Sequence, residues 1–225
     1  MGEWPESSEE LARLQEALGR AAPPLWRPGP DELSIGGCLV CFERGPSGPG
    51  RKGEQSWAGA AVVRGSSVIA SAVATGQAGR GYEAGLLALR EGRLLEAAVR
   101  ALDGQPDVLL VDATGRDHPR RAALALHLGA VLDVPTVGVT HRPLLATGEW
   151  PPDATGAASP LRVDDEIVGY WLRTRAGTRP LAVHAAWRTD PDTALAVVLA
   201  SLGDNRTPEP LRAARTLSRS VRAQK

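Results

Sequence analysis

The chain has 225 residues, 43% of them hydrophobic, and its 26 basic side chains balance 26 acidic ones. That length suits one well-packed α/β domain and is short for two. Zero net charge provides no global field to draw in nucleic acid, and no run approaches the roughly 18 uninterrupted apolar residues that a membrane span needs. The segment Met1 to Arg20 is acidic and amphipathic, whereas a signal peptide carries positive charge before an apolar stretch. A cytoplasmic protein that meets no membrane is therefore expected; the composition carries no signal of oligomeric state.

In chain order, Glu6 to Leu18 has the spacing of an amphipathic helix, with Leu11, Leu14 and Leu18 on one stripe. A proline-rich connector, Pro23 to Pro30, follows. Ile35 to Glu43 is an apolar, strand-like run. It contains the only cysteines, Cys38 and Cys41, whose odd offset sends them to opposite faces of a strand and suits buried thiols better than a metal or redox pair. Gly45 to Gly53 is a turn rich in Gly and Pro. Trp57 to Arg64 and Ser67 to Ala74 form a hairpin about Gly65-Ser66. Gly76 to Gly85 is a glycine-rich loop, and a helix runs from about Leu86 to Leu102.

The second half alternates strand and helix. Asp107 to Asp112 is a buried strand, Arg121 to Val131 a helix and Val134 to Val139 a strand. A loop rich in Pro and Gly spans Thr140 to Ser159. Glu166 to Arg173 and Pro180 to His184 are strands, Asp192 to Leu202 a helix, and Pro208 to Arg222 another. Three antiparallel strands, a helix and then β-α-β predict a mixed sheet with helices on its faces.

Three places bear candidate chemistry. Asp112 ends the apolar run Val108 to Val111, and open α/β sheets place ligands beyond the carboxyl ends of their strands. An acid there either caps the next helix or binds a cation. Glu91 lies inside the preceding helix. Alone it is an ordinary helix-face glutamate; paired with Asp112 it can hold a hard cation such as Mg²⁺. His118-Pro119-Arg120-Arg121 begins six residues after Asp112. Histidine beside a carboxylate site moves a proton or touches a phosphate, Pro119 suits a first helical turn, and the alternative is a solvated basic loop.

The stretch Pro106-Asp107-Val108-Leu109-Leu110-Val111-Asp112-Ala113-Thr114-Gly115-Arg116-Asp117-His118-Pro119-Arg120-Arg121 resembles the central motif of the endonuclease V family. Asp133-Val134-Pro135-Thr136-Val137-Gly138-Val139 matches the family's next segment, Leu89-Arg90-Glu91 its upstream helix motif, and Arg206-Thr207-Pro208-Glu209-Pro210-Leu211-Arg212 its downstream one. The matches run in order from about Ile35 to Arg215. The resemblance implies a single ribonuclease H-like α/β domain over 1–225, a mixed sheet flanked by helices. Within it an N-terminal helix is expected at about 6–20 and a basic helix or tail at about 206–225. It implies binding of DNA or RNA containing deaminated adenine, and cleavage of a nearby phosphodiester with Mg²⁺ or Mn²⁺ held by carboxylates. Glu91 and Asp112 match two metal ligands and His118 the histidine near the phosphate. Gly115, Arg120, Arg121, Arg206 and Arg212 match nucleic-acid-contacting motifs. Tyr82 stands in what remains of the base-probing loop, where it either stacks on a base or packs beside the helix.

The departures are equally specific. Where the family's first strand carries a metal-binding aspartate, this chain has Leu39. Cys41 and Glu43 share its face but lie roughly 7 and 13 Å along the strand, and a thiolate is a poor Mg²⁺ ligand. The family's lysine is replaced by His141, a weaker permanent cation, and a late histidine element is replaced near Ala185-Ala186-Trp187. Arg206 to Lys225 holds six basic residues against one acid, Glu209, which suits phosphate binding or a solvated helix face. Three readings are open: an endonuclease V-like nucleic-acid-binding protein with weak or lost cleavage, an active Mg²⁺-dependent deoxyinosine-directed endonuclease, and a protein–protein scaffold.

Overall fold

The computed structural model describes residues 4–43, 45 and 48–224. Its elements are α1 (Ser8–Arg20), β1 (Ser34–Phe42), β2 (Gln55–Arg64), β3 (Ser67–Gln77), α2 (Leu87–Arg100), β4 (Val108–Val111), α3 (Leu124–Leu132), β5 (Thr136–Thr140), β6 (Ala158–Val163), β7 (Glu166–Leu172), β8 (Leu181–Ala185), α4 (Pro191–Ala200) and α5 (Glu209–Ala223). They build an eight-stranded mixed sheet in the order β3-β2-β1-β4-β5-β8-β7-β6. β1 pairs antiparallel with β2 and parallel with β4, and β4 runs parallel to β5. The remaining pairs, β2–β3, β5–β8, β8–β7 and β7–β6, are antiparallel.

The four-residue strand β4 is buried along its whole length, as a continuous apolar run in the middle of a covered sheet requires. One face packs Cys38, Leu109 and Val111 beneath α1, α2 and α3; the other packs Ile35, Val108, Leu110 and Val137 beneath α4 and α5. Cys38 and Cys41 are free, buried and in different clusters, as their spacing requires.

The seat of α5 depends on missing side chains. Gly37 on β1 and Gly59 on β2 both face this helix. A Cβ at Gly37 would fall inside the backbone of Pro210 and Leu211, and one at Gly59 would overlap the Ala214 carbonyl and the Ser218 hydroxyl. The helix therefore lies closer to the sheet than ordinary side chains permit, with Ala214 fully buried.

Several sequence expectations are corrected. The Thr140–Ser159 loop ends earlier than expected, in strand β6 on the sheet edge. The helix expected from Arg121 begins at Leu124 with Ala123 as its N-cap, and Arg121 has a positive φ of 56°, so Pro119 is not in its first turn. Asp112 caps no helix. Part of the Gly45–Gly53 turn lies outside the described residues, and the described glycines 45, 48, 50 and 53 all have positive φ, the conformation glycine adopts without steric cost. The two hairpin strands turn at Gly65-Ser66 as expected, but β2 begins at Gln55 and β3 runs on to Gln77, into the expected glycine-rich loop.

At the α1–α3 side, the Trp4 ring lies over Gly92, where any Cβ would overlap it, and stacks on His127 with centroids 4.3 Å apart. Both His127 ring nitrogens are buried with no hydrogen-bond partner among the described residues, and burial lowers its pKa to about 4. Folded His127 stays neutral while the unfolded chain's histidine protonates near 6.5, so its contribution is intact above about pH 6.5 and is lost as pH falls towards 4. His127→Phe, which keeps the stacking, is expected to remove about 3 kcal/mol of the stability change between pH 7 and pH 4, measured by urea unfolding at a series of pH values. Gly59→Val is expected to cost at least about 2 kcal/mol by overpacking, measured the same way at pH 7.

Candidate functional site

The site begins where β4 ends. The Asp112 N–H donates to the Cys38 carbonyl at 3.1 Å, which fixes Asp112 beside β1. Its side chain turns to the α5 face, where Arg215 Nη2 donates to Oδ2 at 3.2 Å. Leu39 lies on that face too, 2% exposed and packed among Cys41, Ala61 and Ala214. Its strand partner is Gly59. Glu43 lies just past the end of β1 and is exposed.

Glu91 approaches from α2. Its side chain is only 12% exposed, so it faces inward. Burial first, and then the Asp112 charge, raise its pKa to about 8, against the pull of neighbouring Arg90. Both effects favour its protonated form. The Cys38 thiol is pushed up by burial and then by the charges of Asp112 and Glu91, which sets it near both carboxylates. Arg90 is buried and belongs to a different unit. It donates to Glu54 at 2.7 Å and lies 4.0 Å over the Phe42 ring.

His118 is 1% exposed, and both its ring nitrogens are engaged. Nδ1 accepts the Arg120 N–H at 3.1 Å, and Nε2 lies 3.2 Å from the Gly85 carbonyl. Burial lowers its pKa. The ring thus ties the segment after Asp112 to the loop carrying Tyr82, which is 56% exposed. Gly115 is buried against the Ala185 carbonyl, where a Cβ would overlap. Arg120 is half-buried beside Glu16 and Gln15, whereas Arg121 reaches Asp164 and Glu166, both at 3.4 Å.

On the opposite rim, Arg206 Nη1 donates to His141 Nδ1 at 3.1 Å, and its other nitrogens donate to the Arg179 and Pro180 carbonyls. His141 is exposed; burial of its ring and the Arg206 charge lower its pKa, leaving Arg206 as the cation of that pair. Arg212 is held by Glu209 at the start of α5. Between the rims lies a cavity of about 330 Å³ lined by Tyr82, Gly85, Asp112, Thr114, Thr140 and Arg142, among others. Glu91 and His118 stand outside its wall.

Two participants escaped the sequence reading. Asp117, fully buried, accepts the N–H groups of Leu144, Leu145 and Ala146 at 2.6, 2.8 and 2.8 Å. His184 Nδ1 lies 3.9 Å from it, and burial lowers the histidine's pKa to about 4. The other is Arg215. A signal for it was available: Leu211, Arg215, Ser218 and Arg222 succeed one another at i+4, i+3 and i+4, one stripe of the helix.

A carboxylate at the end of a central strand, beside a parallel neighbour and beneath a helix carrying a second carboxylate, defines a ribonuclease H-like nuclease scaffold. Residues 46–216 match the family model described as Endonuclease V. An endonuclease V from Methanopyrus kandleri is 37% identical over 220 residues, 96% of this chain and 91% of that protein. The crystal structure of endonuclease V from Streptomyces avermitilis, 34% identical, superposes with a TM-score of 0.83 over 98% of this chain and 95% of that one. Ciona intestinalis endonuclease V, crystallised with DNA containing an inosine followed by a ribo-adenosine, has a TM-score of 0.75 at 20% identity, over 96% of this chain and 98% of that one. This chain belongs to the endonuclease V family.

The family depends on a divalent metal, and the donors present do not fit one. Among the described residues no three His, Cys, Asp or Glu side chains gather to hold an ion. Leu39 offers no oxygen, and the Asp112 carboxylate carries a guanidinium. The tie through Asp117 is directly testable. Asp117→Ala strands three backbone donors, and is expected to cost about 3–5 kcal/mol by urea unfolding. Hydrogen exchange at residues 144–146 should accelerate with it.

Proposed function

We propose that this chain binds nucleic acid containing deaminated adenine, in DNA or RNA, and cleaves it weakly or not at all. Leu39 carries the reading. Where the family resemblance calls for a ligand aspartate, a buried leucine packs on Ala61 and Ala214. Two carboxylates, Glu91 and Asp112, leave a hard cation such as Mg²⁺ or Mn²⁺ underligated compared with three. Binding residues are better preserved. Exposed Tyr82 on the cavity rim stacks on a base. Arg120, Arg121, Arg206 and Arg212 make phosphate contacts, and Gly115 lets the intervening turn pack close to the sheet. His118 acts by holding the Tyr82 loop rather than by moving a proton. His141 lends no permanent positive charge of its own. The inosine-containing DNA bound by the Ciona protein supports the same ligand class.

An active Mg²⁺-dependent deoxyinosine-directed endonuclease is the competing reading, favoured by the inward orientation of Glu91 towards Asp112. Inosine-containing single and double strands, incubated with Mg²⁺ and with Mn²⁺, separate the two. The wild type is expected to release little product, and efficient cutting overturns the proposal. The double variant Leu39→Asp with His141→Lys restores the missing ligand and cation. It is expected to lose stability without metal, because crowded carboxylates repel. Millimolar Mn²⁺ should then return about 1–2 kcal/mol by linkage.

A further inference from the structure

We propose that Arg215 is the resident cation of this site: its guanidinium occupies Asp112 in place of a divalent ion and presents its free N–H groups to a nucleic-acid phosphate, so that strand binding here requires no metal. The ligand in this proposal rests on the nucleic-acid reading above; the site rests on the Arg215–Asp112 contact.

The placement comes from how α5 is seated. Gly37 and Gly59 admit the helix backbone onto the sheet, and Ala214 is buried against Leu39 and Ala61. The residue after Ala214 must leave this contact beside the end of β4, where Asp112 stands. Arg215 Nη2 reaches Asp112 Oδ2 at 3.2 Å, while among the described residues its Nη1 finds only Thr207 Oγ1, at 3.5 Å. The pair is partly open, with the arginine side chain 24% and the aspartate 35% exposed. Guanidinium N–H groups thus remain for an outside acceptor.

Charge and chemistry decide what that acceptor is. Arginine stays protonated at every accessible pH, so a divalent ion approaching Asp112 meets a fixed positive charge a few ångströms away. Leu39, on the same face, supplies no oxygen to compensate. A phosphate is instead attracted, and its paired oxygens match the guanidinium fork. Arg206 stands on the adjoining rim with its guanidinium oriented by three fixed partners. Arg142 lines the cavity beside Asp112. The extended basic surface fits a strand backbone.

Two measurements test this, on wild type, Arg215→Gln and Arg215→Lys, each first checked for folding by circular dichroism. The first titrates Mn²⁺ alone into the protein by calorimetry. Arg215→Gln is expected to bind Mn²⁺ about tenfold or more tightly than wild type, and Arg215→Lys, which keeps the charge, to behave as wild type. Equal Mn²⁺ affinity in wild type and Arg215→Gln overturns the proposal. The second follows a labelled inosine-containing oligonucleotide by fluorescence anisotropy, in EDTA and in Mg²⁺. The wild type is expected to bind equally in both, and Arg215→Gln to lose about tenfold in EDTA. Wild-type binding that appears only with Mg²⁺ overturns it. A wild type that binds no strand in either buffer refutes the nucleic-acid reading and the phosphate role together. The Mn²⁺ titration contains no nucleic acid and decides the resident-cation role by itself.

Discussion

The close seating of α5 on the sheet sets the character of the site. Two glycines, Gly37 and Gly59, remove the Cβ atoms that would hold the helix off. The consequences are geometric: Ala214 packs down, Leu39 is covered, and Arg215 emerges beside Asp112. A side chain at either glycine would lift the helix and with it the cation that neutralises Asp112. The packing of the apolar face and the electrostatics of the strand end are therefore one feature, because a single helix turn contributes both Ala214 and Arg215.

Each buried charge on this scaffold is answered in its own way. Arg90 and Glu54 neutralise one another beneath Phe42, an arrangement whose worth lies in not leaving either charge alone. Asp117 is satisfied by backbone amides. Asp112 is met by Arg215. Among the described residues Glu91 gains no comparable partner, since Arg90 is committed to Glu54 and approaches Glu91 only to 3.9 Å. Burial raises its pKa instead. The two carboxylates matching family ligands thus differ in their surroundings: Asp112 is paired with Arg215, whereas burial and the Asp112 charge push the Glu91 pKa up.

Much of the fold was legible because its elements carry strong periodic signals. The apolar run of β4, the hairpin about Gly65-Ser66 and the leucine stripe of α1 each arise from spacing. Edge strand β6 was not, because Pro160 and a register shift at Leu161/Arg162 break its alternation. The start of α3 was misplaced because Pro119 looks like a first-turn proline, whereas the chain stays irregular through the left-handed Arg121. Of the site, Asp112 and Glu91 were visible from motif and position. The partnership of Asp112 with Arg215 was not, since the two are 103 residues apart in sequence and an arginine on an amphipathic helix reads as solvated. His118 was legible as a special residue but not as a brace, because its two bonds depend on where the 85 and 120 backbones come to rest.

Asp117 carries a mechanical consequence. It comes three residues after the segment Asp112 to Thr114, which lines the cavity, and its carboxylate grips the backbone of Leu144, which also lines it, and of the two residues after it. Two walls clamped to a single buried group do not swing apart like jaws. The width between these two stretches is set at folding, by a group that solvent does not reach.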